Sequence, residues 1–326
     1  MMNKNCTLNQ IAEKLHIAES VILYTHVQAD GDSVGSAVAL CIALRSLDKR
    51  AYILTEDEMP SYLKFLSEGY CSPDPSLINE PDICLAIDCS DLSRIEKRKE
   101  MFFKGKCTIC IDHHITNESF ADLNYIDAEA AATAEIVFRL LIEMNIRIDK
   151  NIAEALYAAI ATDTGNFQYS NTTKDTHLIT AALFDCGIDH NKISVNIYQN
   201  MRPEKVKIMG KALSTMELFA GGKGNIAYVT KEMLNETGAE MDETEGIVEQ
   251  LRNISGVEIS AFLKEDNDKI KVGLRSKTIG DVSAIASSFG GGGHKKAAGC
   301  TIEGSLQDAK KMLIKAIDNH LESLEG

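Results

Sequence analysis

Four short apolar runs in the first third of the chain restrict its fold more than any other feature. "SVILYTH" (20–26), "AYIL" (51–54), "DICLAIDC" (82–89) and "CTICID" (107–112) are β-branched or fully apolar and show little polar alternation. A strand that is apolar on both sides must be covered on both sides, which is the situation of a strand inside a parallel sheet. The segments between them, such as 33–48 and roughly 92–103, carry helix-like patterns. The reading is therefore α/β: a parallel sheet with helices on both faces. In such sheets ligands gather at the carboxyl ends of the strands.

From about residue 128 to 200 the pattern turns helical. "AAATAEIVFRLLIEM" and "NIAEALYAAIA" place apolar residues at i, i+3 and i+4, and "TTKDTHLITAALFDCG" continues this with Gly187 as a C-cap. "PEKVKIMGKALSTMEL" reads as a linking helix that starts at Pro203. After "FAGGKG" the style changes: strands "NIAYVT" (225–230), "VEISAFLKE" (257–265) and "KIKVGLRS" (269–276) enclose a helix at about 242–253, and the helix "SLQDAKKMLIKAIDNHLESL" closes the chain. "KEDNDK" (264–269) is too short for a calcium loop and reads as a hairpin turn. The expected organisation is a first domain over 1–200, a helical linker near 200–212, and a smaller α/β domain with a mixed sheet over 212–326.

Composition narrows the function classes. At 326 residues there is material for two cores, and no apolar run reaches the roughly 18 residues of a membrane span. The N-terminal "MMNKNCTLNQIAEKLH" lacks the apolar core of a signal peptide, so a cytoplasmic protein without membrane partners is expected. Nine cysteines follow no framework; the "CTIC" pair at 107–110 falls on a strand, where positions i and i+3 face opposite ways, which argues against a zinc or redox role. The formal charge of −14 excludes a clamp on long nucleic acid, which needs a basic stripe. It leaves room for a short nucleotide, because acids gathered around metal ions are neutralised by them.

Such acids are gathered here. "THVQADGDSVGS" places His26, Asp30 and Asp32 just after the first apolar run. "AIDCSD" ends the next long run with Asp88, "IDHHIT" ends another with Asp112, His113 and His114, and "AIATDTGNF" leaves Asp163 at the end of a helix. Taken singly, an Asp after a strand is usually a turn or helix cap, and paired histidines are often polar surface. Four separated segments that all end in carboxylate or imidazole are different, since such a cluster costs several kcal/mol in repulsion and desolvation unless cations join it. Mixed carboxylates and imidazoles suit Mn²⁺, with Mg²⁺, Co²⁺ or Zn²⁺ as substitutes. Two acids two residues apart can address two ions roughly 3.5–4 Å apart, the arrangement of phosphoryl transfer.

The ordered set "HVQADGD", "AIDCSD", "IDHH" and "ATDTGNF" resembles the DHH phosphoesterase superfamily, and "GGGGHKKAAGC" (290–300) resembles the signature of its companion DHHA1 domain. The two-domain format is similar to the nanoRNase/pAp phosphatase subfamily. The resemblance implies two metal ions: His26 and Asp30 on one, Asp32, His113 and Asp163 on the other, and Asp88 bridging both. It gives Asp112 the task of orienting a neighbouring histidine, and His114 that of meeting the scissile phosphate or its leaving oxygen. In this family the second domain holds the far end of the substrate, which assigns Arg275, Gly292, Gly293 and His294 to substrate binding. A homodimer is a further implication.

The glycine run is not a P-loop, because no Lys-Ser/Thr follows at the required place; composition alone is equally consistent with a flexible loop and with an anion-binding nest. Lys295 and Lys296 read as solvated. His16, His177 and His190 read as structural, Phe167 as either a base-stacking or a core aromatic, and the acidic runs "TEDE" and "GAEMDETE" as solvated faces. The leading expectation is a Mn²⁺-dependent phosphoesterase that cuts short RNA or linear dinucleotides to 5′ mononucleotides and pAp to AMP. The alternatives are a cyclic-dinucleotide phosphodiesterase, a RecJ-like single-strand exonuclease, and a catalytically silent nucleotide-binding module.

Overall fold

A computed structural model describes residues 5–324 and divides the chain between Asn200 and Met201 into two compact units. The first is built on six parallel strands: β1 (Ser20–Tyr24), β2 (Arg50–Leu54), β3 (Cys71–Ser72), β4 (Ile83–Ile87), β5 (Cys107–Asp112) and β6 (Leu123–Ile126). Their spatial order is β3-β2-β1-β4-β5-β6. From β1 the chain runs outward to β3, then returns to lay β4 against the other side of β1. The sheet therefore reverses direction between β1 and β4, and crevices open at such reversals at the strands' carboxyl ends. The edge strands β3 and β6 escape the sequence reading, one because it is two residues long and the other because "LNYI" is only half apolar.

β1 and β4 are buried at every position, and their residues sort by parity. Val21, Leu23, Leu85 and Ile87 face the helices Leu8–Ile17, Gly31–Ser46, Thr133–Glu143 and Lys150–Asp163, while Ile22, Tyr24, Cys84 and Ala86 face Ile95 and Phe102. The same parity separates Cys107 from Cys110. The helix expected over 92–103 is instead a 3₁₀ segment, Leu92–Arg98, kinked at Glu96 (φ 31°, ψ −111°) and followed by a single turn, Lys99–Phe102. Long-range bonds override the local helical pattern there: the Arg98 guanidinium donates to Leu54 O (2.8 Å) and Thr25 O (2.9 Å), and Lys97 N donates to Glu56.

Helix Gly31–Ser46 is buried on nearly all sides and runs antiparallel to helix Lys150–Asp163. Their contact is made by small residues. A Cβ on Gly35 would lie 2.5 Å from Ala155 O, and one on Gly31 would lie 2.3 Å from Thr162 Oγ1. This seam brings the start of the first helix, with Asp30 and Asp32, beside the end of the second, with Asp163.

The second unit contains β7 (Glu217–Phe219), β8 (Gly224–Val229), β9 (Ile259–Asp266), β10 (Lys269–Ser276), β11 (Gly292–His294) and β12 (Ala297–Glu303). They form a mixed sheet in the order β11-β12-β10-β9-β8-β7, with β8 and β9 parallel and the remaining pairs antiparallel. Helix Leu306–Ser323 covers one face through Leu313, Ile317 and Leu321, and helices Pro203–Ser214 and Ile247–Arg252 cover part of the other. Asn267 (φ 56°) and Asp268 turn the chain from β9 into β10. The helix expected at 242–253 is cut to Ile247–Arg252, because Gly246 enters at φ 90°.

Candidate metal centre

Every predicted metal-site residue of the first unit comes to the carboxyl ends of β1 and β4, the strands at the sheet's reversal, and of their neighbour β5. His26 follows β1 and is buried; its Nδ1 donates to Val27 O (2.8 Å), which turns Nε2 towards Asp30 Oδ1 (3.5 Å) and Asp88 Oδ2 (3.7 Å). Asp30 also caps helix Gly31–Ser46 by accepting from Ser33 N (3.0 Å). Asp88 ends β4 in the left-handed region (φ 58°), a conformation that Asp tolerates better than most residues. His113 follows β5 and donates from Nδ1 to Ala130 O (3.2 Å), leaving Nε2 facing Asp88 Oδ1 (3.6 Å), Asp163 Oδ2 (3.7 Å) and Asp32 Oδ2 (3.9 Å). Three overlapping donor groups result, His26–Asp30–Asp88, Asp88–His113–His114 and Asp32–His113–Asp163, each with ligand atoms within 4.8 Å of one another.

Asp112 stands behind this cluster. Its Oδ1 accepts from His114 Nδ1 (2.7 Å) and His113 N (2.8 Å), and its Oδ2 accepts from Asn117 Nδ2 (2.6 Å). The ring that it orients is thus His114. Asn117 Nδ2 also donates to Cys89 O (2.9 Å), tying the ends of β4 and β5 together.

The electrostatics test whether a cation fits. Among the described residues no Lys or Arg pairs with Asp30, Asp32, Asp88, Asp112 or Asp163 within ion-pair distance. Burial, together with the charges of Asp88 and Asp163, holds Asp32 well above the usual carboxylate range, and burial with Asp30 raises Asp88. Desolvation pushes Asp163 up to about 7 against the pull of His113. Burial alone would lower His113, but Asp88, Asp32 and Asp163 outweigh it and raise the imidazole to about 10. Carboxylates pushed up by burial and by one another's charge, beside a histidine that they raise, describe a site short of positive charge. Oxygen and imidazole donors converging on that deficit are the set a divalent first-row metal takes. The residues fit such ions.

Sequence reading missed four side chains here. Ser36 Oγ donates to Asp32 (3.0 Å), Thr133 Oγ1 donates to Asp88 (2.9 Å), Asn117 serves Asp112, and Asn171 Nδ2 donates to Asp163 O (3.1 Å). Their signal is faint, since each is a neutral residue; Ser36, Asn117 and Asn171 have partners nearby in sequence, Thr133 a distant one, and only the small-residue run "AAATAE" hints at close approach. Phe167 packs against the first core and stacks on His177 (5.7 Å), so both belong to packing.

The proposed substrate residues lie in the second unit. Only the last three residues of the "GGGGH" stretch, Gly292–His294, are a strand, the edge strand β11 paired antiparallel with β12; Gly290 and Gly291 precede it in irregular backbone. Gly293 (φ 139°) permits this closeness: a Cβ there would sit 2.6 Å from Ala297 O. Register puts Gly273, Gly299 and Gly292 in one row across three strands; Leu274, Ala298 and Gly293 follow, and then Arg275, Ala297 and His294 on the same face as the glycines. No atom lies within 4 Å of where a Cβ on Gly273 or Gly292 would stand. Arg275 is half-buried and gives Nε to Glu249 (2.9 Å) and Nη1 to Leu274 O (3.0 Å). Lys296 departs from the expectation of a solvated side chain: its Nζ meets the carbonyls of Thr278 and Gly280.

Family comparison decides the lineage. The DHH family N-terminal domain model matches residues 20–160, and the DHHA1 domain model matches 221–323. A bifunctional oligoribonuclease and PAP phosphatase, NrnA, of Thermus thermophilus is 34% identical over 316 residues, covering 95% of this chain and 93% of its own. The chain belongs to the DHH/DHHA1 phosphoesterase superfamily. It is accordingly a metal-dependent phosphodiesterase or phosphatase. The crystal structure of an exopolyphosphatase-related protein from Bacteroides fragilis superposes with a TM-score of 0.92 at 29% identity, over 98% of this chain and 97% of that one. An exonuclease RecJ structure with bound manganese shares the fold, with a TM-score of 0.56 at 15% identity over 98% of this chain and 96% of that one. Among the described residues no helix is long and apolar enough to cross a membrane.

Proposed function

We infer that this DHH/DHHA1 enzyme is a Mn²⁺-dependent oligoribonuclease and pAp phosphatase. It releases 5′ mononucleotides from short RNA and linear dinucleotides, and converts pAp to AMP. The observation that carries the reading is the set of donor groups linked in series through Asp88 and His113, with His114 held beside them by Asp112. The likeness to NrnA over nearly the whole chain supports the substrate class.

His26, Asp30 and Asp88 would hold one ion, and Asp32, His113, Asp163 and Asp88 the second. Bound there, the ions would supply Lewis acidity to the phosphoryl oxygens and lower the pKa of a coordinated water. The remaining work belongs to the chain. Val27 O and Ala130 O take the Nδ1 protons of His26 and His113, so both rings offer the Nε2 lone pair in a fixed direction. Burial would lower His114, yet the Asp112 hydrogen bond and the Asp88 charge outweigh it and keep the imidazole above its ordinary value. That direction favours the protonated ring, whose Nε2 proton would be available to a phosphoryl or leaving oxygen. The bare glycine row beside Arg275 and His294 offers a flat floor on which the non-reacting part of a nucleotide can lie without meeting a side chain.

The chain's charge of −14 sets the length preference, because a longer strand gains little from extra phosphates on an acidic protein. Initial rates with Mn²⁺ should be measured on pAp, a linear dinucleotide, a cyclic dinucleotide and a ladder of labelled RNA oligomers, each with and without chelator. Activity should peak at about two to five nucleotides and vanish with chelator. Rates that climb steadily with length would favour a RecJ-like exonuclease, and no hydrolysis at all would favour a binding module.

A further inference from the structure

One five-residue stretch, Ala130–Ala134, touches the support of four of the six candidate ligands. Ala130 O takes the His113 Nδ1 proton, and Ala131 O shares the Asn171 amide with Asp163 O. Thr133 N (2.6 Å) and Ala134 N (3.0 Å) donate to Asp32, and Thr133 Oγ1 donates to Asp88 Oδ1 (2.9 Å). Thr133 opens helix Thr133–Glu143, whose N-cap residue, Ala132, has no side chain able to cap it. The cap is supplied by Asp32, 101 residues away in sequence, so the helix end and the carboxylate satisfy each other. Thr133 itself is fully buried, and its hydroxyl is aimed away from the helix at Asp88, the one carboxylate that two of the three donor groups share.

We propose that Thr133 is the positioning residue of the centre: its hydroxyl fixes the rotamer of Asp88 while its N–H fixes that of Asp32, so one residue sets the spacing of the two metal sites. The proposal rests on the two-metal reading above. The geometry favours a positional over a packing role, because the Thr133 hydroxyl reaches a carboxylate 45 residues away in sequence rather than a carbonyl of its own helix. A neighbour that orients a metal-binding carboxylate typically contributes about 10–100-fold in metal affinity or activity.

The test uses the full chain and two variants. Thr133→Val keeps the β-branched shape and the backbone N–H but removes the hydroxyl; Thr133→Ser keeps the hydroxyl and loses the methyl. Calorimetric titration with Mn²⁺ should give two binding steps in the wild type, both weakened by about 10-fold or more in Thr133→Val. kcat should fall by a similar factor while KM changes little, and thermal melting of the metal-free protein should stay within a few degrees. Thr133→Ser should restore both affinity and kcat to within about threefold of the wild type. Equal Mn²⁺ affinity in Thr133→Val and wild type would overturn the proposal, as would a Thr133→Ser variant as impaired as Thr133→Val, since that would make the methyl the group that matters. A wild type that binds no Mn²⁺ would instead defeat the two-metal reading, and the proposal with it.

Discussion

Gly35→Ala is a single methyl placed where two helices touch, and its effects on stability and on activity should diverge. The new Cβ would lie 2.5 Å from Ala155 O and 2.8 Å from Ala159 Cβ. Carbon contacts settle near 3.5–4.0 Å, so helices Gly31–Ser46 and Lys150–Asp163 must part by roughly 1 Å. Overpacking of this kind costs about 1–3 kcal/mol, and replacing a helical glycine returns about 0.5–1 kcal/mol of backbone entropy. The net loss should be about 1 kcal/mol, a modest fall in the urea midpoint. The catalytic loss should be larger, because the same seam spaces Asp30 and Asp32 from Asp163, and a misplacement of about 1 Å can cost about 10²-fold. Gly210→Ala is the control: Gly210 is exposed in helix Pro203–Ser214, and nothing lies within 4 Å of its absent Cβ. That variant should gain about 0.5–1 kcal/mol and keep its rate. Urea unfolding and the initial rate on pAp with Mn²⁺ are measured for both. If Gly35→Ala is as stable and as active as Gly210→Ala, the seam does not set the site and the reasoning is wrong.

Asp88→Asn should lower turnover by about a thousandfold while leaving the fold intact, since it removes from a crowded acidic cluster the one carboxylate that two of the donor groups share; near-normal rates would count against the bridge. His113→Ala should weaken Mn²⁺ binding, whereas His114→Ala, whose Nδ1 is committed to Asp112, should keep the metal and lose activity; metal titration of the two variants separates them, and the reverse pattern would mean the roles are exchanged. In the second unit, burial alone would raise Glu258, but hydrogen bonds from Gly280, Thr278 and Ser276 outweigh it and bring the carboxyl down to about 2. Its stabilising contribution is therefore complete above the ordinary value of 4.5 and is lost as pH falls towards about 2. Glu258→Gln should flatten the stability of the chain over that window in a denaturant series, and an unchanged acid dependence would contradict the assignment.

The parts of this site legible in the sequence are those written in one dimension. An apolar run that ends in Asp88, or in Asp112–His113–His114, announces both a buried strand and the groups at its end, because burial and position are read from the same residues. Thr133, Ser36 and Asn117 are not legible in that way. Each is a neutral side chain that no pattern marks: Ser36 and Asn117 serve carboxylates close in sequence, while Thr133 depends on partners brought near by the fold, and nothing in "AAATAE" names Asp32 or Asp88. The same limit explains β11. Glycine has little strand preference, so "GGGGH" reads as a loop until β12 supplies the pairing edge. The 92–103 segment fails for a related reason: its local pattern is helical, but Arg98 is drawn to the carbonyls of Thr25 and Leu54.

The central claim is that two divalent ions sit on either side of Asp88. Crystals grown with Mn²⁺ and measured on both sides of the manganese absorption edge test it most directly. The account predicts two anomalous peaks per chain, one within ligand distance of His26 and Asp30, the other within ligand distance of Asp32, His113 and Asp163, and both touching the Asp88 carboxylate. A single peak, or two peaks that share no Asp88 oxygen, would contradict it.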